Sequence, residues 1–224
     1  MSTYNRAVLF VNGEAKDLGR IKLCEEDYMV AVDGGYRHLA ALGLSPHLLI
    51  GDLDSVDPAS LSKLEAEGVQ VLKYPPAKDQ TDLELALYQV IAWGFKRVLV
   101  VAALGGRLDH TLGNLALLSQ ADFEALEISL DDGLEQVLII RKSMQLAVNP
   151  GDTISLLPLC SPVHGITTEG LAYPLNNETL YPDQSRGISN VALSTSIRVE
   201  FDSGALMLIH QRIQNIQNLE VKNG

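Results

Sequence analysis

Cysteine, tryptophan, positive charge and long apolar runs are all scarce in this chain. Its 224 residues include two cysteines, Cys24 and Cys160, far apart and outside any CxxC pattern. That argues against a disulfide framework and a structural zinc site, and both thiols are expected to be buried and reduced in a cytoplasmic protein. Lysine and arginine number 17 against 28 aspartates and glutamates, a formal charge of −11. A surface so short of cations disfavours nucleic acid and anionic membrane as partners and suits a cationic ligand. No apolar run approaches the roughly eighteen residues that a bilayer span needs. The first run, residues 7–11, is short and reads as a strand rather than a signal peptide. Neither GxxxxGK[ST] nor GxGxxG occurs, so the common nucleotide-binding fingerprints are missing.

What is present is apolar periodicity. Apolar residues make up 46% of the chain, enough for one large core or two modest ones. Strand-like runs at 7–11, 28–32, 48–50, 69–72 and 97–104 alternate with helical spacing at 36–42, 61–65, 83–91 and 109–119. The alternation predicts an α/β unit: a mostly parallel sheet with helices on both faces. Near residue 140 the helical spacing stops. Short β-like runs at 145–148, 153–157, 188–193, 197–200 and 205–210, punctuated by Pro, Gly and Asn, predict an all-β sandwich or barrel. The expected division is an α/β domain over 1–141 and a β-sandwich-like domain over 142–224. The polar, amide-rich tail from Gln211 carries no assignable pattern.

The stretch Leu48-Leu49-Ile50-Gly51-Asp52-Leu53-Asp54 joins a buried strand to a glycine turn and two carboxylates. Extended residues two apart point to one side, so Asp52 and Asp54 are expected to share a hard cation such as Mg²⁺. They would sit beyond the carboxyl end of a strand, where α/β sheets bind ligands. The same stretch also reads as an acidic turn, with Asp54 or Asp57 capping a helix ahead of Pro58.

Three further stretches add chemistry. Asp33-Gly34-Gly35 ends the second strand, where glycines let backbone amides approach a ligand and a carboxylate can hold a ribose hydroxyl or a water. Lys78-Asp79-Gln80-Thr81-Asp82 opens a helix. Asp79 reads as its N-cap with Asp82 imitating a capping box, and the same groups suit Mg²⁺ and phosphate oxygens. Gly105-Gly106-Arg107-Leu108-Asp109-His110 is a glycine-rich turn from strand to helix, a common phosphate cradle. Arg107 adds a planar donor and Asp109 a carboxylate, while His110 fits either a structural or a ligand-facing role.

Taken in order, VDGGYRHL (32–39), IGDLDSV (50–56), PPAKDQTDLELAL (75–87), LGGRLDHTLGNL (104–115), GLAYPL (170–175) and GISN (187–190) resemble the segments of the thiamine pyrophosphokinase (thiamine diphosphokinase) family. The resemblance implies an α/β catalytic domain and a β domain that helps bind thiamine. It also implies a homodimer with active sites between the catalytic domain of one subunit and the β domain of the other. The implied reaction moves the terminal diphosphoryl group of ATP to the hydroxyl of thiamine, releases AMP and uses Mg²⁺. By position, Asp52, Asp54, Asp79 and Asp82 fall in the magnesium and ATP site, with Asp52, Asp54 and Asp79 as metal ligands. Asp109 joins them as a catalytic candidate. The resemblance assigns Asp33, Gly34, Gly35, Lys78, Thr81, Gly105, Gly106, Arg107 and His110 to ATP, and Ser189, Asn190 and Tyr173 to thiamine. Which of Asp79, Asp82 and Asp109 takes the proton of the substrate hydroxyl stays open.

Two rival readings compete. Asp52-Leu53-Asp54-Ser55-Val56 fits the DxDx[TV] pattern of a haloacid-dehalogenase-type phosphatase, in which Asp52 would attack phosphate and Asp131 and Asp132 would imitate the later acidic motif. That motif, however, follows the third strand rather than the first. A non-catalytic regulator that binds thiamine or a nucleotide is the other, opposed by the mutual repulsion of idle carboxylates gathered at one edge.

Overall fold

The computed structural model describes residues 4–77 and 79–213, which divide into two compact units at Gly133. The sequence placed its change of register at 141. The intervening strand Glu135–Ile140 pairs along its whole length with Leu206–Gln211 in the second unit. That partner lies far along the chain and leaves no local signal.

The first unit contains β1 (Arg6–Phe10), β2 (Asp27–Val32), α1 (Tyr36–Ala41), β3 (Leu48–Gly51), α2 (Pro58–Ala66), β4 (Gln70–Lys73), α3 (Asp82–Ala92), β5 (Arg97–Val101), α4 (Leu108–Leu117) and β6 (Glu127–Asp131). All six strands are parallel, in the order β6-β5-β1-β2-β3-β4. Residues such as Val8, Phe10, Ala31, Leu49, Leu99 and Val101 form its core, which explains why these strands read as unbroken apolar runs. The chain steps outward from β1 to β4, then returns to the other side of β1 for β5 and β6. Right-handed crossovers therefore put the connections of the two halves on opposite faces, and the switch point falls between β1 and β5. Register completes the arrangement. Phe10 pairs with both Ala31 and Val101, and Val32 pairs with Ile50, so the carboxyl ends of β1, β2, β3 and β5 finish level.

The second unit contains β7 (Glu135–Ile140), β8 (Met144–Ala147), β9 (Thr153–Pro158), β10 (Val163–Glu169), β11 (Glu178–Leu180), β12 (Asn190–Val191), β13 (Ser196–Glu200) and β14 (Leu206–Gln211). Antiparallel β12-β9-β14-β7 form one layer and β11-β10-β13-β8 the other. Alternate residues point inward: Ile154 and Leu156, Leu206 and Leu208, Ile197 and Val199 are buried, their neighbours less so. This is a β-sandwich. Strand β10 escaped the sequence reading because Gly165 and two threonines interrupt its pattern, and Gly165 sits where the pairing with β11 shifts register.

Both cysteines are exposed, contrary to expectation. Cys24 lies just before β2 and Cys160 in the turn between β9 and β10. The apolar residues of α4 divide between core and solvent. Leu115 is half-buried, whereas Leu108 and Leu112 are 71% and 56% exposed.

Asp152, buried between β8 and β9, ties the sandwich together. It accepts hydrogen bonds from the N–H groups of Asn149 (2.8 Å) and Ile213 (2.9 Å) and lies 2.7 Å from Nε2 of His210. Burial pushes its carboxyl up, but the Asn149 N–H, His210 and the Ile213 N–H together hold it below the ordinary carboxylate range. A depressed carboxylate stabilises the fold above its unfolded pKa and loses that contribution as pH falls through the folded value. Asp152→Ala is expected to cost about 3 kcal/mol at pH 7. Urea titrations should show this deficit shrinking once the pH drops below about 4.

Candidate active site

Three strands deliver the site through strained backbone. Asp33 (φ 48°), Leu53 (φ 67°) and Ala102 (φ 63°) follow β2, β3 and β5, and all adopt left-handed conformations. Non-glycine residues rarely do so, and such strain concentrates at functional edges. At Leu53 it overrides the extended geometry expected of Asp52-Leu53-Asp54. The Leu53 side chain is buried in the core, so the chain turns there and the two carboxylates part. The N–H of Asp54 instead donates to Oδ1 of Asp52 (3.2 Å), and Asp54 is exposed. Helix α2 is capped by Asp57, whose Oδ1 accepts from the Ser60 N–H at 2.9 Å, with Pro58 next.

A second local detail differs from the sequence reading. The N-cap of α3 is Thr81, not Asp79. Its hydroxyl accepts from the N–H of Glu84 at 3.2 Å, and Thr81 with Glu84 three residues on is the better match to the capping pattern. Asp82 is thereby the first residue of the helix, and Asp79 lies upstream and exposed. Lys78 lies outside the described residues.

The outcome is one group of carboxylates. Oxygens of Asp33, Asp52 and Asp82 lie within 4.8 Å of one another. Asp54 and Asp79, expected as ligands beside Asp52, are not members of it, whereas Asp33 and Asp82 are. At that separation, each pair of charges repels by roughly 3.5 kcal/mol at an effective dielectric near 20. Oδ1 of Asp33 is buried and has no hydrogen-bond partner. Hard oxygen ligands, mutual repulsion and an orphaned carboxylate oxygen all fit a divalent cation such as Mg²⁺. Gly51 makes room, because a β-carbon there would stand 3.0 Å from Cβ of Asp33.

A cleft of about 830 Å³ opens in the first unit, lined by Asp33, Thr81, Asp82, Gly105, Gly106, Arg107, Asp109 and His110 among others. The turn after β5 has both glycines at positive φ, 79° and 69°. Thr111 stabilises the entry to α4 by donating toward the carbonyls of Gly105 (3.2 Å) and Arg107 (3.3 Å). Asn114 donates to the carbonyl of Ala103 at 2.9 Å. Arg107 is paired with Asp109 through Nε (3.1 Å) and Nη2 (2.6 Å). That hydrogen-bonded guanidinium holds the Asp109 carboxyl below its ordinary range. Gly34 and Gly35 are buried beneath the loop after β1 rather than open to the cleft. The sequence reading overlooked Asn12, Glu14 and Arg37, which also line the cleft. Asn12-Gly13 follows the first strand-like run as an ordinary turn signal, and VDGGYRHL contains Arg37 without marking it out.

In the second unit, Tyr173 and Asn190 come together. Oδ1 of Asn190 accepts from the N–H groups of Tyr173 (3.0 Å) and Val191 (2.9 Å), and its Nδ2 donates to the Tyr173 carbonyl at 2.6 Å. The buried amide thus joins the 170–175 and 187–190 stretches, leaving Tyr173 66% exposed. Ser189 is exposed at φ 58°, its N–H donating to Oγ of Ser155 at 3.0 Å.

Comparison with known proteins agrees with this division. A family model described as the thiamin pyrophosphokinase catalytic domain matches residues 22–130, and one described as the thiamin pyrophosphokinase vitamin B1 binding domain matches 137–206. Thiamine pyrophosphokinase of Bacillus subtilis is 28% identical over 83% of this chain and 87% of its own length. A rice relative, thiamine pyrophosphokinase 1, is 24% identical over 88% of this chain and 81% of its own. The crystal structure of the Bacillus subtilis protein superimposes with a TM-score of 0.83 at 26% identity, covering 93% of this chain and all of that one. The two family models together span well over half of the sequence, and the chain belongs to the thiamine pyrophosphokinase family.

Proposed function

We propose that the protein transfers the terminal diphosphoryl group of ATP to the hydroxyl of thiamine, giving thiamine diphosphate and AMP with the aid of Mg²⁺. The convergence of Asp33, Asp52 and Asp82 beside a glycine-rich turn carries this reading. These three carboxylates would hold Mg²⁺, which when bound supplies a counter-charge for phosphate oxygens. The Gly105 and Gly106 turn and the start of α4 offer amides to the phosphates. Phosphoryl transfer asks the protein mainly for positioning and electrostatics. Of the three candidates for the hydroxyl proton, Asp109 is a poor base because Arg107 stabilises its ionised form, and Asp82 is committed to the cation, which leaves Asp79. The thiazolium of thiamine is cationic and suits an acidic chain, and the exposed Tyr173 and Ser189 are the residues of the second unit assigned to thiamine.

The working form in this reading is a homodimer in the cytoplasm. Leu108 and Leu112 support it, as adjacent apolar side chains on α4 left in water by a single copy. No helix among the described residues is long and apolar enough to cross a membrane.

Incubation with ATP, Mg²⁺ and thiamine tests the assignment. AMP and thiamine diphosphate in equal amounts are expected. Inorganic phosphate would point to the phosphatase reading based on Asp52, and unchanged ATP with measurable binding to a regulator.

A further inference from the structure

The loop after β1 is held by two consecutive residues of α1. Nη1 of Arg37 donates to Oδ1 of Asn12, and Nη2 donates to the carbonyls of Asn12 (3.1 Å) and Gly13 (2.6 Å). Nε2 of His38 lies 3.0 Å from the same Gly13 carbonyl. Burial lowers the pKa of His38, so the ring is neutral near pH 7 and its Nε2–H donates.

The loop has little room to move. A β-carbon on Gly34 would stand 2.6 Å from the Asn12 side chain, and one on Gly13 would stand 2.1 Å from the Ala102 carbonyl oxygen. Asn12 and Gly13 are therefore wedged between the ends of β2 and β5, at the switch point of the sheet. The next residue, Glu14, reaches the phosphate-binding turn, its Oε2 3.6 Å from where a Gly105 β-carbon would be. All of these residues except Gly34 and His38 line the cleft.

Two physical facts give this clamp a task. An Asn-Gly turn is conformationally permissive and needs external bonds to keep one shape. Backbone carbonyls turned toward a triphosphate would repel it, and here both carbonyls of the loop are engaged by donors. Arg37 meets neutral acceptors and, among the described residues, has no carboxylate partner, so its full charge also stays beside the cleft.

We propose that Arg37 is a positioning residue for the nucleotide, acting through Asn12 and Gly13 to hold the loop after β1 in the shape that admits the metal-bound triphosphate. This rests on the diphosphotransferase reading given above. It assigns Arg37 to the loop rather than to direct phosphate contact.

The test compares Arg37→Ala, Arg37→Lys, Asn12→Ala and the Arg37→Ala/Asn12→Ala double variant. Arg37→Ala is expected to raise the KM for ATP about tenfold, with the KM for thiamine unchanged and kcat within a few-fold. Arg37→Lys should recover part of the loss. The double variant should be no worse than Arg37→Ala alone, since both changes break one unit. Amide exchange at Gly13 and Glu14 should accelerate in Arg37→Ala without nucleotide. Additive losses with the loop still protected would overturn the proposal in favour of direct phosphate contact, and an unchanged KM would overturn it outright. Should the unaltered protein make no AMP, the catalytic reading fails separately, and calorimetric Mg-ATP affinity with amide exchange then decides the role of Arg37.

Discussion

Asp52→Asn is expected to lower turnover about a thousandfold or more while the fold survives. The loss follows from removing one of three carboxylates that would hold the cation. A bound metal contributes several kcal/mol of charge stabilisation, and each 1.36 kcal/mol is about tenfold in rate. Stability should move the other way. Asp52 is only half-buried, and its neutralisation relieves repulsion from Asp33 and Asp82, so without metal the midpoint of thermal unfolding should hold or rise. Asp54→Asn makes the informative partner. Read as an extended pair, the two aspartates would be equally damaging to lose, whereas the turn at Leu53 ranks Asp52 above Asp54. Steady-state kinetics with thermal melts of both variants check this, and ordinary turnover in Asp52→Asn would remove that carboxylate from the metal site.

Gly35→Ala should cost about 3 kcal/mol or more, a large effect for one methyl group. Its backbone is right-handed, φ −60°, so conformational freedom is not the reason for glycine here. The reason is proximity. A β-carbon would stand 1.8 Å from the Phe10 carbonyl oxygen and 2.9 Å from the Val11 nitrogen, so the end of β1 or the start of α1 must shift. Either shift would also move Asp33, two residues earlier. Gly43 is the control: it needs φ 68° but has open space around it. Gly43→Ala should cost only about 1 kcal/mol. Urea unfolding at constant m-value measures both changes. Equal costs at the two positions would show that β1 yields easily.

Periodicity made the architecture legible. The runs that became β1 to β5 and the four helices were visible because each carries its apolar spacing within its own segment. Strand β7, whose partner β14 is remote, and β10, bent at Gly165, were not visible, because pairing and bulges depend on distant chain. The family resemblance was equally open to reading, since it rests on the order of short motifs.

The site was only partly open to such reading. The amino-acid sequence by itself determined that carboxylates and glycine turns would follow the strands of an α/β unit, and it named Asp33, Asp52 and Asp82 among the candidates. Only the tertiary structure decided which carboxylates meet. Burial of Leu53 turns the backbone between Asp52 and Asp54, and Thr81 takes the helix cap, so that Asp82 begins the helix. The physical reason is that a carboxylate's direction depends on the φ of its neighbour and on what that neighbour packs against. Level strand ends then bring together groups from three distant parts of the chain.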